Sequence, residues 1–230
     1  MGGRLYGPLA AALLTAAATI AHAHGNVAPQ PVNTDALPDV GEEWLDENPY
    51  RAEVAGEEVW ETAIKIGESG FNQNCARCHG LGAISGGLAP DLRFLEANMD
   101  GDEWFLERFQ HGYTQDGTTK MPAFGDLLGQ KAGWAIRTYF ETRPDDEVLD
   151  EHAGRLKEIR DELLTMADAG SGDAEPLRVE LIEIADTIPT LSGAPVSDSI
   201  ARRAGNSLDG SEGSYKAAAD VLTVGLSEAQ

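Results

Sequence analysis

The stretch Cys75-Ala76-Arg77-Cys78-His79 decides how the rest of the chain is interpreted. Two cysteines separated by two residues and followed directly by histidine form the C-x-x-C-H pattern of covalent c-type haem attachment. Two thiols one helical turn apart can each add to one vinyl group of the same porphyrin, and the histidine then lies under the iron as its proximal ligand. Cys75 and Cys78 are the only cysteines in the chain, so the pattern uses both.

Other uses of the cysteine pair fit less well. A structural zinc site needs two further ligands, usually a second Cys or His pair, and the sequence offers no such pair. A thioredoxin-like redox pair is expected within a βαβ unit, whereas the surrounding residues are typical of helix and glycine-rich loop. A structural disulfide is a further alternative, but it leaves His79 without a role.

The residues on either side of the motif are expected to enclose the haem. Apolar residues at helical spacing between residues 56 and 74 predict a helix. Gly67, Phe71 and Cys75 are four residues apart and therefore share one face, which places Phe71 where it can cover the haem edge. The glycine-rich segment 80–87 predicts a loop that wraps tightly after the motif.

Two aromatic helices are predicted farther along. Residues 101–112 begin with Asp102 as a candidate N-cap and end at a glycine. Their aromatic side makes Trp104 a candidate for the wall of the haem pocket. Residues 130–143 carry a second aromatic face, and Pro144 ends that helix because proline cannot continue it.

Met121 is the candidate sixth ligand of the iron. A thioether is a soft ligand that suits low-spin haem iron and raises its potential. Met121 lies in a loop between the two aromatic helices and is followed by proline, so it can reach the distal side of the ring. Methionine is more often an ordinary core residue. Of the competing candidates, Met99 lacks a flanking proline and Met166 lies in a distant helical run.

The N-terminus predicts export. Residues 1–23 are expected to be a secretory signal peptide, with Arg4 as its positive region and an apolar core over residues 9–20. That core is too short to span a bilayer comfortably, and residues 21–23 form an A-x-A cleavage site. A retained anchor is the alternative. No later stretch is apolar enough to cross a membrane, so the mature protein is expected in the periplasm without a transmembrane anchor.

The composition limits the partners. The chain carries 17 Lys and Arg against 39 Asp and Glu. Loss of Arg4 with the signal peptide leaves 16 basic residues against 39 acidic ones, a formal charge of −23. Such acidity argues against binding to nucleic acid. It predicts either a partner with a basic surface or adaptation of the surface for solubility in a saline medium.

Three regions are expected after the signal peptide. Residues 24–49 are acidic and contain prolines, which predicts an extended linker. Residues 50–144 form the haem domain. Residues 145–230, called the extension below, contain four runs with helical periodicity and no catalytic constellation. We expect a small acidic helical bundle, either a plain appendage or a module that docks on the haem domain or a partner.

Taken in order, these elements resemble the class I monohaem cytochromes c over about residues 50–144. The resemblance implies an all-α fold around one covalent haem, with the first and last helices crossing at Gly67 and near residues 136–139. It also implies that the Pro90 carbonyl accepts a hydrogen bond from His79. The elements that carry it are Gly67-x-x-x-Phe71-x-x-x-Cys75-x-x-Cys78-His79, Pro90-Asp91-Leu92, Met121-Pro122-x-Phe124 and the helix containing Tyr139.

A narrower resemblance concerns the redox partner. Residues 48–51, 71–81 and 83–87 are similar to the cytochromes that accept electrons from pyrroloquinoline-quinone (PQQ) alcohol dehydrogenases. This resemblance implies such a dehydrogenase as the donor and a terminal oxidase or another cytochrome as the acceptor. The long acidic extension departs from a minimal cytochrome of this kind.

These features predict an electron carrier rather than an enzyme. Iron with His and Met ligands has no open position for a substrate, which suits outer-sphere electron transfer. Two alternatives remain. One is a sensor or a catalytic haem protein whose sixth ligand can be displaced, and the other is a cytochrome subunit of a larger assembly that docks through the extension.

Overall fold

The computed structural model of the protein describes residues 29–228. The predicted signal peptide, residues 1–23, and the first residues of the predicted linker lie outside this range. Helices dominate the described residues, and the strands among them form one two-stranded hairpin. This composition confirms the all-α fold class. Between residues 29 and 228, no helix combines the length and apolar character needed to cross a membrane.

The haem domain contains five helices and the hairpin, and the extension contains five further helices. In chain order they are α1 (Ala52–Ala55), α2 (Glu57–Asn74), α3 (Ala76–His79), α4 (Met99–His111), β1 (Tyr113–Gln115), β2 (Thr118–Met121), α5 (Gly125–Glu141), α6 (Asp146–Glu151), α7 (Ala153–Ala169), α8 (Glu175–Thr187), α9 (Ile200–Ser207) and α10 (Glu212–Glu228). Short 3-10 turns span Leu81–Ala83 and Leu92–Phe94.

α2 and α5 form the main helix pair of the haem domain, and they cross at Gly67. A Cβ atom on Gly67 would lie 1.9 Å from the carbonyl oxygen of Ala135 and 2.9 Å from Cβ of Tyr139. Glycine therefore lets the two backbones touch where any side chain would hold them apart. One turn later, the rings of Phe71 and Tyr139 pack with their centroids 5.4 Å apart. The crossing implied by the resemblance is present.

The segment before α1 lies along the haem domain. Residues 29–49 contain neither helix nor strand, but their backbone carbonyl groups accept hydrogen bonds from α5. Gln130 Nε2 donates to the carbonyls of Gly41 and Glu43 at 2.7 and 2.8 Å. Lys131 Nζ donates to the carbonyl of Leu37 at 2.8 Å. The described part of this segment is therefore attached to the haem domain at several points.

The extension forms a bundle with its own core. The first of the four helical runs predicted in the extension is divided at His152 into α6 and α7. α10 packs against α7 and α9, and α9 also packs against α8. The buried apolar residues of the extension form one cluster that begins at Leu149, whereas the cluster of the haem domain ends at Phe140. The two cores share no residue.

Polar contacts join the extension to the haem domain. Ser192 Oγ donates to the backbone carbonyl of Glu141. The backbone N–H of Ser197 donates to the carbonyl of Thr142 at 3.2 Å. The buried guanidinium of Arg93 is shared between Asp91 of the haem domain and Asp146 of the extension. These contacts fix the position of the bundle without adding apolar area to the haem-domain core.

A chain that ends at Asp145 is therefore expected to fold and to hold haem. The core of the haem domain takes no residue from the extension, so the main losses are hydrogen bonds and two ion pairs, Arg93 with Asp146 and Arg143 with Asp198. Each hydrogen bond contributes about 0.5–1.5 kcal/mol. The visible spectrum and thermal midpoint of the truncated and full chains, both purified from the periplasm, check this. Failure of the truncated chain to mature would mean that the extension completes the core.

Candidate haem site

The Cys-x-x-Cys-His motif forms a separate helical turn after a bend. α2 ends at Asn74, Cys75 adopts φ −116° as its C-cap, and α3 continues from Ala76 to His79. Gly80 ends this turn with φ +81°, and a Cβ atom there would lie 1.8 Å from the carbonyl oxygen of Ile84. Only glycine allows the following loop to fold back this closely. The motif and loop together place the imidazole of His79 inside the domain.

His79 is oriented by one hydrogen bond. Its side chain is buried at 8% exposure, and Nδ1 lies 2.8 Å from the carbonyl oxygen of Pro90. A carbonyl accepts only, so Nδ1 carries the proton and Nε2 keeps its lone pair, which is the atom that can bind a metal. Burial lowers the pKa of His79, against the opposing effects of Pro90 and Asp91. The neutral imidazole required of a ligand is therefore favoured.

The electrostatics of the cysteines do not suit thiol–disulfide catalysis. Burial raises the pKa of Cys75 to about 12, with a smaller contribution from the neighbouring Cys78. Redox-active Cys-x-x-Cys pairs instead lower the pKa of one thiol. A structural zinc site also lacks support, because no three His, Cys, Asp or Glu side chains converge as metal ligands within residues 29–228. Covalent attachment of a haem remains the use that gives a role to Cys75, Cys78 and His79 together.

The segment that follows the motif carries most of the exposed large apolar side chains of the described residues. Eight of the thirteen large apolar side chains that are exposed in the described residues come from the segment 81–127. Exposed apolar side chains that lie together in one patch mark a binding groove or interface. A porphyrin attached at Cys75 and Cys78 would cover surface of this kind. The eight are Leu81, Ile84, Leu88, Phe94, Met99, Trp104, Tyr113 and Leu127.

Met121 lies at the base of a hairpin that the sequence analysis treated as a loop. β1 and β2 pair antiparallel, with Tyr113 opposite Met121 and Thr114 opposite Thr119, so Lys120 is an extra residue. A bulge of this type redirects the side chains that follow it. The signal was present in the sequence, because an Asp-Gly pair between short polar and β-branched runs is typical of a hairpin turn.

The three candidate methionines occupy different surroundings. Met121 is half-buried and packs against the core cluster of the haem domain. Met99 is the first residue of α4 and is 58% exposed. Met166 packs against the core of the extension. Of the three, Met121 alone combines contact with the haem-domain core and a position on a strand end.

The two aromatic pocket candidates also differ. Phe71 is fully buried and contacts the rings of Tyr139 and Phe140. Trp104 lies on α4 and is 38% exposed. The guanidinium of Arg108 lies 4.8 Å from the centroid of the Trp104 ring, a contact that the sequence analysis did not foresee. Phe71 thus belongs to the helix crossing, and Trp104 to an exposed face of α4.

Four charged side chains of the haem domain form a largely buried network, called the buried charge network below. Asp102, Arg137 and Glu141 are almost wholly buried, and Arg51 is 11% exposed. Arg137 Nε donates to Asp102 Oδ1 at 2.9 Å, and Arg51 donates to Asp102 and Glu141, both at 2.8 Å. Asp102 is therefore not the N-cap of α4; Asn98 takes that position. No local sequence pattern distinguished these charges from solvent-exposed ones.

The comparisons with known proteins agree with this geometry. A family model described as "Cytochrome C oxidase, cbb3-type, subunit III" matches residues 62–140. Cytochrome c550 of Pseudomonas aeruginosa is 51% identical over 129 residues, which cover 56% of this chain and 87% of the relative. No solved structure matches the chain significantly.

Two other relatives are matched over a small part of their length. The cbb3-type cytochrome c oxidase subunit FixP of Rhizobium meliloti is 33% identical over 33% of this chain and 28% of its own length. The quinohemoprotein alcohol dehydrogenase ADH IIB of Pseudomonas putida is 34% identical over 39% of this chain and 12% of its own length. In both cases the matched residues make up less than half of this chain.

Proposed function

The chain belongs to the class I cytochromes c, and from that premise we propose that it carries electrons in the periplasm from a PQQ-dependent alcohol dehydrogenase. It holds haem c covalently and transfers electrons rather than catalysing a reaction on a substrate. The observation that carries the proposal is the orientation of His79, whose Nδ1 is held by the Pro90 carbonyl at 2.8 Å. This contact leaves Nε2 available to the iron.

The residues around the motif would divide the work of holding the haem. Cys75 and Cys78 would form the thioether bonds, and His79 would be the proximal ligand. Phe71, fully buried at the helix crossing, would exclude water from one edge of the pocket. Trp104, which projects from α4, would contribute an outer wall. When bound, the haem supplies a reversible one-electron couple, and a fixed ligand set keeps the reorganisation accompanying electron transfer small.

Met121 would be the sixth ligand. Replacing Met121 with alanine is expected to remove the sulfur-to-iron charge-transfer band of the oxidised protein and to lower the reduction potential, because thioether ligation favours ferrous iron. Absorption spectra and a redox titration measure both effects. Met99→Ala is the matched control, since Met99 is the exposed methionine nearest in sequence. Loss of the band in Met99→Ala, with retention in Met121→Ala, would make Met99 the ligand.

Several observations support the dehydrogenase as donor. The chain is similar to part of two quinohemoprotein alcohol dehydrogenases of Pseudomonas putida, and residues 48–51, 71–81 and 83–87 resemble cytochromes that serve such enzymes. The expected signal peptide would bring the protein to the compartment in which c-type haem is attached. A terminal oxidase or another cytochrome would accept the electron. The net charge of −22 favours partners with basic docking surfaces.

Rapid mixing tests both the identity of the donor and the electrostatic attraction between the two proteins. Oxidised protein mixed with a PQQ alcohol dehydrogenase and its alcohol should show haem reduction, and the second-order rate should fall as salt rises. Salt shortens the range of the attraction, with a Debye length of about 10 Å at 0.1 M. Reduction by an uncharged small molecule, which should not depend on salt, is the control. Absence of reduction would exclude the dehydrogenase, and a rate that climbs with salt would refute a basic partner.

A cytochrome subunit of a larger assembly is the second candidate. Similarity to the cbb3-type oxidase subunit FixP and to the cbb3-type subunit III family favours it. The extension would then be the docking module, since it has a core of its own. Affinity capture with the full chain and with a chain ending at Asp145 separates the candidates. A stable oxidase complex captured only by the full chain supports the subunit, and capture by neither supports the mobile carrier.

A further inference from the structure

The hairpin that carries Met121 has little support of its own. From Tyr113 to Lys120 every residue of β1, the turn and β2 is exposed. A two-stranded hairpin is marginally stable in water at best, because it has no hydrophobic face to bury. A ligand at its base therefore depends on contacts that fasten the hairpin to the rest of the domain. Besides the packing of Met121 against the haem-domain core, the described contacts of this kind are made with α4.

The first attachment is backbone against backbone. Gly112 follows α4 with φ +71°, and a Cβ atom there would lie 2.5 Å from the Met121 carbonyl oxygen and 2.8 Å from Ala123 N. Just beyond, Phe124 N–H donates to the carbonyl of Phe109 at 2.8 Å. The end of β2 therefore crosses directly over the end of α4. This crossing brings Met121 close to α4 but does not hold the strand paired with it.

The second attachment is made by side chains and holds that strand. The guanidinium of Arg108 lies 4.8 Å from the ring centroid of Trp104 and 5.6 Å from that of Tyr113. Trp104 and Arg108 are one turn apart on α4 and so lie on the same face, whereas Tyr113 is the first residue of β1 and pairs with Met121. The arginine thus links the helix to the strand partner of the methionine. Trp104, Arg108 and Tyr113 are called the hairpin clamp.

We propose that Arg108 is a positioning residue for Met121: by holding Tyr113 against α4, it sets how readily the methionine yields its place on the iron to another ligand. The proposal rests on the proposed ligation by Met121. A guanidinium on an aromatic face gains electrostatic attraction and stacking that an aliphatic side chain of similar length cannot replace. Opening of the hairpin should therefore become easier without Arg108, although no bond to iron is altered.

Imidazole titration of the oxidised holoprotein measures this opening. Imidazole can replace Met121 only when the hairpin moves away, and loss of the sulfur-to-iron charge-transfer band reports the replacement. In Arg108→Leu the half-saturating imidazole concentration should fall roughly three- to tenfold, as expected for loss of two exposed cation–π contacts. Lys65→Gln is the control, because it also removes one positive charge, from a side chain that is 78% exposed on α2. It should leave the titration unchanged.

A second variant guards against a general effect of Arg108→Leu on folding. Tyr113→Leu removes the strand half of the clamp at an exposed position, and it should shift the titration in the same direction. The double variant should shift it by less than the two single shifts combined, because both remove one shared contact. Wild-type titration in Arg108→Leu would overturn the clamp while leaving Met121 as ligand. A band that persists in Met121→Ala would overturn the ligand assignment, and the clamp with it.

Discussion

Replacing Asp102 with alanine is expected to destabilise the haem domain by about 3–5 kcal/mol, the cost of breaking a buried ion pair by removing one partner. Asp102 is fully buried and accepts from Arg51 and Arg137 as well as from the backbone N–H of Asn48. Without it, Arg137 keeps Glu141 at 3.4 Å but loses its closest carboxylate. A buried guanidinium would then be left undercompensated, because arginine does not lose its proton at neutral pH.

The same helix offers a matched control for this substitution. Asp100 is exposed in the first turn of α4, so Asp100→Ala loses only a favourable interaction with the helix dipole, about 0.3–1 kcal/mol. Denaturant unfolding of the holoproteins, followed by far-UV circular dichroism and haem absorption, gives both values. Burial lowers the pKa of Arg137, against the opposing effects of Glu141 and Asp102. A loss below about 1 kcal/mol for Asp102→Ala would show that water reaches the network.

Replacing Gly67 with valine is expected to be comparably damaging, at or above the upper end of the about 1–3 kcal/mol typical of overpacking. The added Cβ would meet the Ala135 carbonyl at 1.9 Å, and a backbone oxygen cannot rotate away as a side chain can. α2 and α5 would have to separate along the whole crossing. Phe71 and Cys75 follow on the same face of α2, so the yield of haem-bearing protein should also fall.

Gly154 provides the control for the loss of a glycine. It lies in α7, and a Cβ atom there would meet nothing within 4 Å. Gly154→Ala should therefore be neutral or stabilise the protein by up to about 1 kcal/mol, because alanine has the higher helix propensity. Unfolding midpoints and haem content per protein measure both variants. Equal stability of Gly67→Val and the parent protein would show that the helices do not touch at this position.

The sequence by itself determined the parts of the protein whose physics is local. The predictions of covalent attachment at Cys75 and Cys78 and of proximal ligation by His79 use five consecutive residues, 75–79, so their spacing alone was sufficient to make them. Helical periodicity likewise predicted α2 and α4, because the apolar stripe of a helix depends only on the spacing of residues close together in the sequence. It also predicted the main part of α5. The observed helix begins before the predicted one, at Gly125, and contains a non-helical residue at Gly129. The break between α6 and α7 at His152 was not visible in the same pattern.

Only the tertiary structure decided which polar side chains meet across the fold. Arg51, Asp102 and Arg137 are far apart in the chain, and a charged residue is ordinarily expected in solvent, so no local pattern marks them as buried partners. The clamp of Arg108 on Tyr113 and the attachment of residues 29–49 to α5 have the same origin. Periodicity shows which face of a helix is apolar. The pairing of polar groups depends instead on where the packed helices bring them, and that follows from long-range contacts such as the crossing at Gly67.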